Sequence, residues 1–98
     1  MIRHTALFKF SSVDKEALSR AFEEAFNEFF NNGFTEHESF EFGADLGIRE
    51  GNFDFGVTVV FKDEDGYIKY NLSEAHQELL RATVLPNISD RASLQFRI

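Results

Sequence analysis

Two side chains in the second half of the chain have the chemistry of a proton-transfer pair. His76 is one of three histidines, and an imidazole takes or gives a proton near neutral pH because its unperturbed pKa lies near ~6.5. Tyr70 offers a phenolic hydroxyl that can donate to an oxygen developing negative charge, as an oxyanion hole does. Each has a plainer reading. A histidine on an apolar helix face serves equally as a packed core residue, and a tyrosine hydroxyl can simply close the end of an apolar core. His4 lies on the apolar side of an alternating segment, so it points under whatever covers that side. His37 sits between Glu36 and Glu38, but adjacent loop residues rarely converge on a metal. No HxH or HExxH spacing is present, so no metal site is expected.

Other chemistries lack their residues. With no cysteine, disulfides, thiolate metal sites and cysteine nucleophiles are excluded. The glycines are too scattered to cradle a phosphate, and no nucleophilic serine elbow occurs. Ten Lys and Arg against 17 Asp and Glu give a net charge of −7, which repels nucleic acid. The opening MIRHTALFKF is neither a secretory signal nor a membrane span, so a cytoplasmic protein with no membrane partner is expected.

The elements that must position these residues can be read from periodicity. Residues 2–10 alternate, with Ile2, His4, Ala6, Phe8 and Phe10 on one face, as a strand does. After Ser11, Ser12 and Asp14, which are good N-cap types, the period changes to 3.6. Val13, Ala17, Leu18, Ala21, Phe22, Ala25, Phe26, Phe29 and Phe30 form a broad apolar stripe that ends at Asn31-Asn32-Gly33. Residues 38–44 and 53–61 alternate again and flank a turn. A short helix starts near Asp63, and Ser73 caps a second helical stretch that carries His76 and ends at Pro86. Residues 91–98 form the last strand.

The order β-α-β-β-α-β is the ferredoxin-like arrangement, α+β, with both helices on one face of a four-stranded antiparallel sheet. At 98 residues the chain makes one domain. Leu7, Gly56, Thr58 and Val60 make the other sheet face small and semi-apolar, which invites a second sheet and hence a homodimer. The 13 phenylalanines exceed ordinary usage; Phe22 and Phe26, in the middle of the first helix, are the expected walls of any small-molecule cavity.

The chain resembles the stress-responsive A/B barrel (Dabb) family along essentially its whole length. The resemblance rests on the Met1-Ile2-Arg3-His4 opening, on Phe42-Gly43-Ala44-Asp45-Leu46, on Phe53-Asp54-Phe55-Gly56-Val57, and on the run Tyr67 to Gln77 with its Ala75-His76-Gln77. It implies a dimeric α/β barrel with a cavity between sheet and helices in each subunit, and no cofactor. One plant branch of the family contains a polyketide cyclase that closes a linear tetraketide by aldol condensation. There the histidine matched by His76 acts as base, and the tyrosine matched by Tyr70 holds the substrate oxygen; His4 matches another pocket histidine. The chain departs from that enzyme at Ser73-Glu74, where the family usually has His-Pro, at Phe55 in place of a second pocket histidine, and at Ala25 in place of a pocket tyrosine. The resemblance therefore implies a dimer binding a small hydrophobic molecule, with cofactor-free cyclase- or lyase-like acid/base chemistry other than that cyclization. The rival readings are a non-catalytic stress-response or structural dimer and, ranked last because the chain has no tryptophan, a cofactor-free monooxygenase.

Overall fold

The computed structural model describes residues 1–98. Strands β1 (Ile2–Phe10), β2 (Ser39–Ala44), β3 (Phe55–Phe61) and β4 (Ile88–Arg97) form one antiparallel sheet in the order β2-β3-β1-β4. The two central strands are the most apolar, as strands without a free edge should be. Helices α1 (Lys15–Glu28), α2 (Glu64–Leu72) and α3 (Glu74–Leu79) complete the ferredoxin-like fold. No helix is long and apolar enough to cross a membrane.

Helix α1 begins where the Asp14 carboxylate accepts the Ala17 amide at 3.2 Å. Val13 therefore precedes the helix and is 97% exposed, outside the apolar stripe expected to include it. Ala21, also expected in the stripe, is exposed, because it lies toward the solvent side of α1; the phenylalanines hold the stripe. Phe22 and Phe26 are buried, and a π-helical turn at Phe29–Gly33 continues it by burying Phe29 and Phe30. Asn31, Asn32 and Gly33 are weak helix formers, so the last turn is where a regular helix gives way. Gly33 has a packing role as well. A Cβ there would lie 3.2 Å from the Cβ of Ala75, so the glycine lets α3 come close.

Strand β3 starts two residues later than alternation predicts. Asp54 leaves the strand pattern to accept the Phe10 amide at 2.8 Å and the Lys15 ammonium at 2.9 Å. It thereby ties the end of β1 to the start of α1. Phe53 lies beneath the Lys9 ammonium, 5.7 Å from the ring centroid. Strand β4 begins three residues earlier than expected, directly after a 3-10 turn at Leu85–Asn87 that contains Pro86.

The register of β4 decides what each sheet face carries. His4 pairs with Gln95, Ala6 with Ser93 and Phe8 with Arg91, so the polar side of β4 lies under the helices. Its apolar side, Ala92, Leu94 and Phe96, joins Leu7 and Val60 on the open face. Leu94 and Phe96 are 60% and 43% exposed there. The open face is thus more apolar than β1 and β3 alone suggest.

Candidate functional site

Ser73 is the hinge on which the site is built. It ends α2 and starts α3. Its hydroxyl donates to the Tyr70 carbonyl at 3.0 Å and accepts the His76 amide at 3.1 Å. One side chain thus fixes the last turn of α2 against the first turn of α3, and with them the two residues whose chemistry matters. The Tyr70 and His76 rings lie 4.4 Å apart between centroids. His4, reaching up from β1, lies 5.7 Å from Tyr70 and 5.1 Å from Tyr67. The three residues come from separate elements, and the fold brings them to one place.

They line a cavity of about 200 Å³ between the sheet and the helices. Phe8, Phe26 and Val57 give it an apolar floor; Asn71, Ser93 and Arg91 add polar groups. This volume exceeds the ~150 Å³ apolar cavity that takes up benzene, and falls below the ~300 Å³ at which drug-sized ligands are usually held. It suits a molecule with one ring or a short chain.

The electrostatics keep both histidines neutral at pH 7. Burial lowers the His4 pKa to about 4, helped by repulsion from His76. The amide Nε2 of Gln95 lies 2.9 Å from His4 Nδ1. An amide nitrogen only donates, so Nδ1 accepts and the ring proton sits on Nε2. Burial also lowers the His76 pKa, with the Asn71 backbone partly offsetting it. No hydrogen bond reaches Nδ1 of His76, although that atom is buried. An orphaned buried polar atom costs about 1–3 kcal/mol, and His37 Nδ1 is buried without a partner in the same way; a neutral imidazole is the form that accepts a proton. Burial, with the neighbouring Tyr67, pushes the Tyr70 phenol upward, so it stays protonated and able to donate.

Of the two phenylalanines expected as cavity walls, the structure places Phe26 in the lining and Phe22 outside it. Phe22 is fully buried against Phe8, Phe10 and Phe55, because it lies one helical turn nearer the start of α1 and so faces the other end of the sheet. Phe55, standing where the plant cyclase has a histidine, stacks on Phe26 as part of the same aromatic core. His37 packs edge-on to Phe30 and Phe40, a packing role. No three of the His, Asp and Glu side chains converge as a metal site would require. Sequence reasoning missed Tyr67, Asn71, Gln95 and Arg91. Alternation along β4 offers a signal for Gln95 and Arg91, but only once the strand is known to turn its polar side inward.

The sequence profile of the stress-responsive A/B barrel domain matches residues 2–98. The chain belongs to that family. Among solved structures, a dimeric ferredoxin-like protein of unknown function from Thermobifida fusca is 32% identical. The match covers 99% of this chain and 90% of that one, with a TM-score of 0.87. A Dabb family protein from Mesorhizobium loti is 18% identical over 99% of this chain and 95% of its own, with a TM-score of 0.82. The hydroxynitrile lyase of Passiflora edulis shares the fold at 17% identity, over 99% of this chain and 92% of the lyase, with a TM-score of 0.80. No curated protein matches the chain in sequence. Membership in the Dabb family fixes the scaffold; its relatives of unknown function leave the chemistry to be argued from the site.

Proposed function

We propose that this Dabb protein works as a homodimeric A/B barrel that binds a small hydrophobic carbonyl or hydroxyl compound in each subunit's cavity, and moves a proton on it without a cofactor. The observation that carries the reading is the packing of the neutral His76 imidazole against the Tyr70 ring, 4.4 Å between centroids, in the wall of that cavity. In this reaction His76 takes a proton from a carbon or oxygen acidified by the substrate. The Tyr70 hydroxyl donates to the oxygen on which charge accumulates. Neutral His4, held by Gln95, orients the ligand. The hydroxynitrile lyase that shares the fold makes cyanohydrin cleavage one reaction of this kind to try.

The dimer has its own support. The open sheet face carries Leu7, Leu94 and Phe96, all exposed, around a buried Val60. An apolar sheet face is covered in a stable protein, and a second copy of the same face makes an eight-stranded barrel with the helices outside. The Thermobifida relative is described as dimeric.

The test uses acetophenone in deuterated water and an aromatic cyanohydrin, followed by NMR, with the wild type and the His76→Gln and Tyr70→Phe variants. Catalysed α-deuteration or cyanohydrin cleavage that both substitutions abolish is the expected result. Ligand binding with no turnover would instead favour a non-catalytic binding dimer. The proposal fails if no one-ring carbonyl compound binds the cavity.

A further inference from the structure

The cavity differs in charge from the protein around it. The chain carries a net −7, yet no carboxylate lies among the 13 residues that line the cavity. The only cationic side chain in that wall is Arg91. Its neighbours in the wall are neutral donors and acceptors: His4, His76, Tyr67, Tyr70, Asn71 and Ser93. Arg91 is exposed, whereas His4, Tyr70 and His76 are buried, so the arginine lies toward the solvent side of the cavity and the proton-transfer pair at depth.

The guanidinium is also free. Arg20, Arg81 and Arg97 each pair with a glutamate, at Glu16, Glu78 and Glu64. Arg91, like Arg3 and Arg49, makes no such pair, and of these three it is the one that lines the cavity. Its placement follows from the register of β4, which sets Arg91 opposite Phe8 and turns it to the helix side. On a chain with 17 acids, an unpaired arginine at the rim of a cavity without acids is a ready partner for an anion.

We propose that Arg91 selects anionic ligands: the compound that enters the cavity is a small monocarboxylate whose carboxylate pairs with the Arg91 guanidinium at the mouth while its apolar body lies on Phe8 and Phe26. This rests on the reading of the cavity as a ligand site, and it adds the substrate class. A planar guanidinium forks onto a carboxylate through two parallel hydrogen bonds, which also fixes the ligand's direction. A ligand held in this way presents its far end to His76 and Tyr70.

The experiment compares matched acid and amide probes, benzoate with benzamide and phenylacetate with phenylacetamide, by isothermal titration to the full-length protein. In the wild type the acid of each pair should bind about tenfold tighter than its amide, the increment of one well-placed ion pair. The preference should shrink as salt is raised. Arg91→Gln should abolish the preference and leave amide binding unchanged, and His76→Gln should leave the preference intact. Amides that bind as well as acids would overturn the role of Arg91 while leaving the cavity reading standing. If neither member of either pair binds, the ligand-site reading falls and this one with it. If Arg91→Gln weakens self-association but not acid binding, the guanidinium serves an interface and the proposal is wrong.

Discussion

The imidazole of His76 lies 4.4 Å, centroid to centroid, from the phenol ring of Tyr70, and the hydroxyl of Ser73 bonds the backbone of both residues. The helix break at Ser73 is therefore part of the site. Where the family usually carries His-Pro, this chain reaches a sharp turn between two helices by a different route: Ser73 caps α3 with its side chain and closes α2 through the Tyr70 carbonyl.

Ser73→Ala should accordingly cost about 1 kcal/mol or somewhat more, because it removes an N-cap. It should also loosen the His76–Tyr70 arrangement without touching any ligand. Urea denaturation measures the first effect. The second shows as a change in the histidine ring resonances of His76 but not of His37, which packs on separate aromatic residues. Ser73→Thr keeps the hydroxyl and should restore both.

His76→Gln separates catalysis from packing. The ring has no hydrogen bond to lose at Nδ1, so its removal takes away contacts with Tyr70 and Phe29 and the interaction with the Asn71 backbone, and with them an orphaned polar atom. These effects oppose each other, and the net loss of stability should be within about 1 kcal/mol. A loss of several kcal/mol would mark the histidine as a structural strut. Activity in the proton-exchange assay, by contrast, should vanish.

Acid should weaken the fold in two stages. His4 and His76 both have folded pKa values below 6.5, through burial first, and for His4 to about 4. Above 6.5 they are neutral in both states. As the pH falls from 6.5 toward 4, the unfolded chain binds protons that the folded chain refuses, so stability declines with falling pH. The His4 share is at most about 3 kcal/mol. Asp54 contributes in a lower window. Burial opposes its charge, but the Lys15 ammonium and the Phe10 amide outweigh that and hold its pKa below 3.8. Its contribution is present above 3.8 and is lost as the pH falls below that value. His4→Gln should lessen the first decline, leaving the shares of His76 and of His37, whose pKa burial also lowers, and Asp54→Asn should remove the second. Asp54→Asn should also cost about 1–3 kcal/mol near neutrality, because it weakens a charge-assisted bond to the end of β1. Denaturant midpoints measured across this pH range check both.

Much of this was legible in the sequence, for reasons that also explain what was not. Alternation along β1 and the stripe through Phe22, Phe26, Phe29 and Phe30 are local signals, so the elements and their order could be read directly. Ser73 could be read as a cap because capping depends on near neighbours. The errors arose where a distant contact overrides the local pattern. Asp54 falls in an alternating run but is drawn out of it by Phe10 and Lys15, which are 44 and 39 positions away in the chain (54−10 and 54−15). Val13 fits the helical period, yet the cap at Asp14 leaves it in water. Arg91 and Ser93 of the cavity's polar wall lie on β4, whose two sides are plainly polar and apolar in sequence. Nothing local says which side faces the helices, because a slip of one residue exchanges them.

That register yields the last expectation. Because β4 turns Leu94 and Phe96 onto the open face, beside Leu7, the proposed interface is built largely from residues that a monomer leaves in contact with water. Placing a charge there should cost the monomer little, since Leu94 is 60% exposed in the isolated chain. In a face-to-face dimer the same charge would be buried twice, once from each subunit, with no partner for either. Leu94→Asp should therefore convert the protein from dimer to monomer in sedimentation equilibrium while preserving its circular dichroism spectrum. Glu24→Lys, an exposed change of charge on α1 and so on the other side of the sheet, should leave the dimer intact. If Leu94→Asp sediments as the wild type does, this sheet face is not the interface, and the barrel arrangement fails with it.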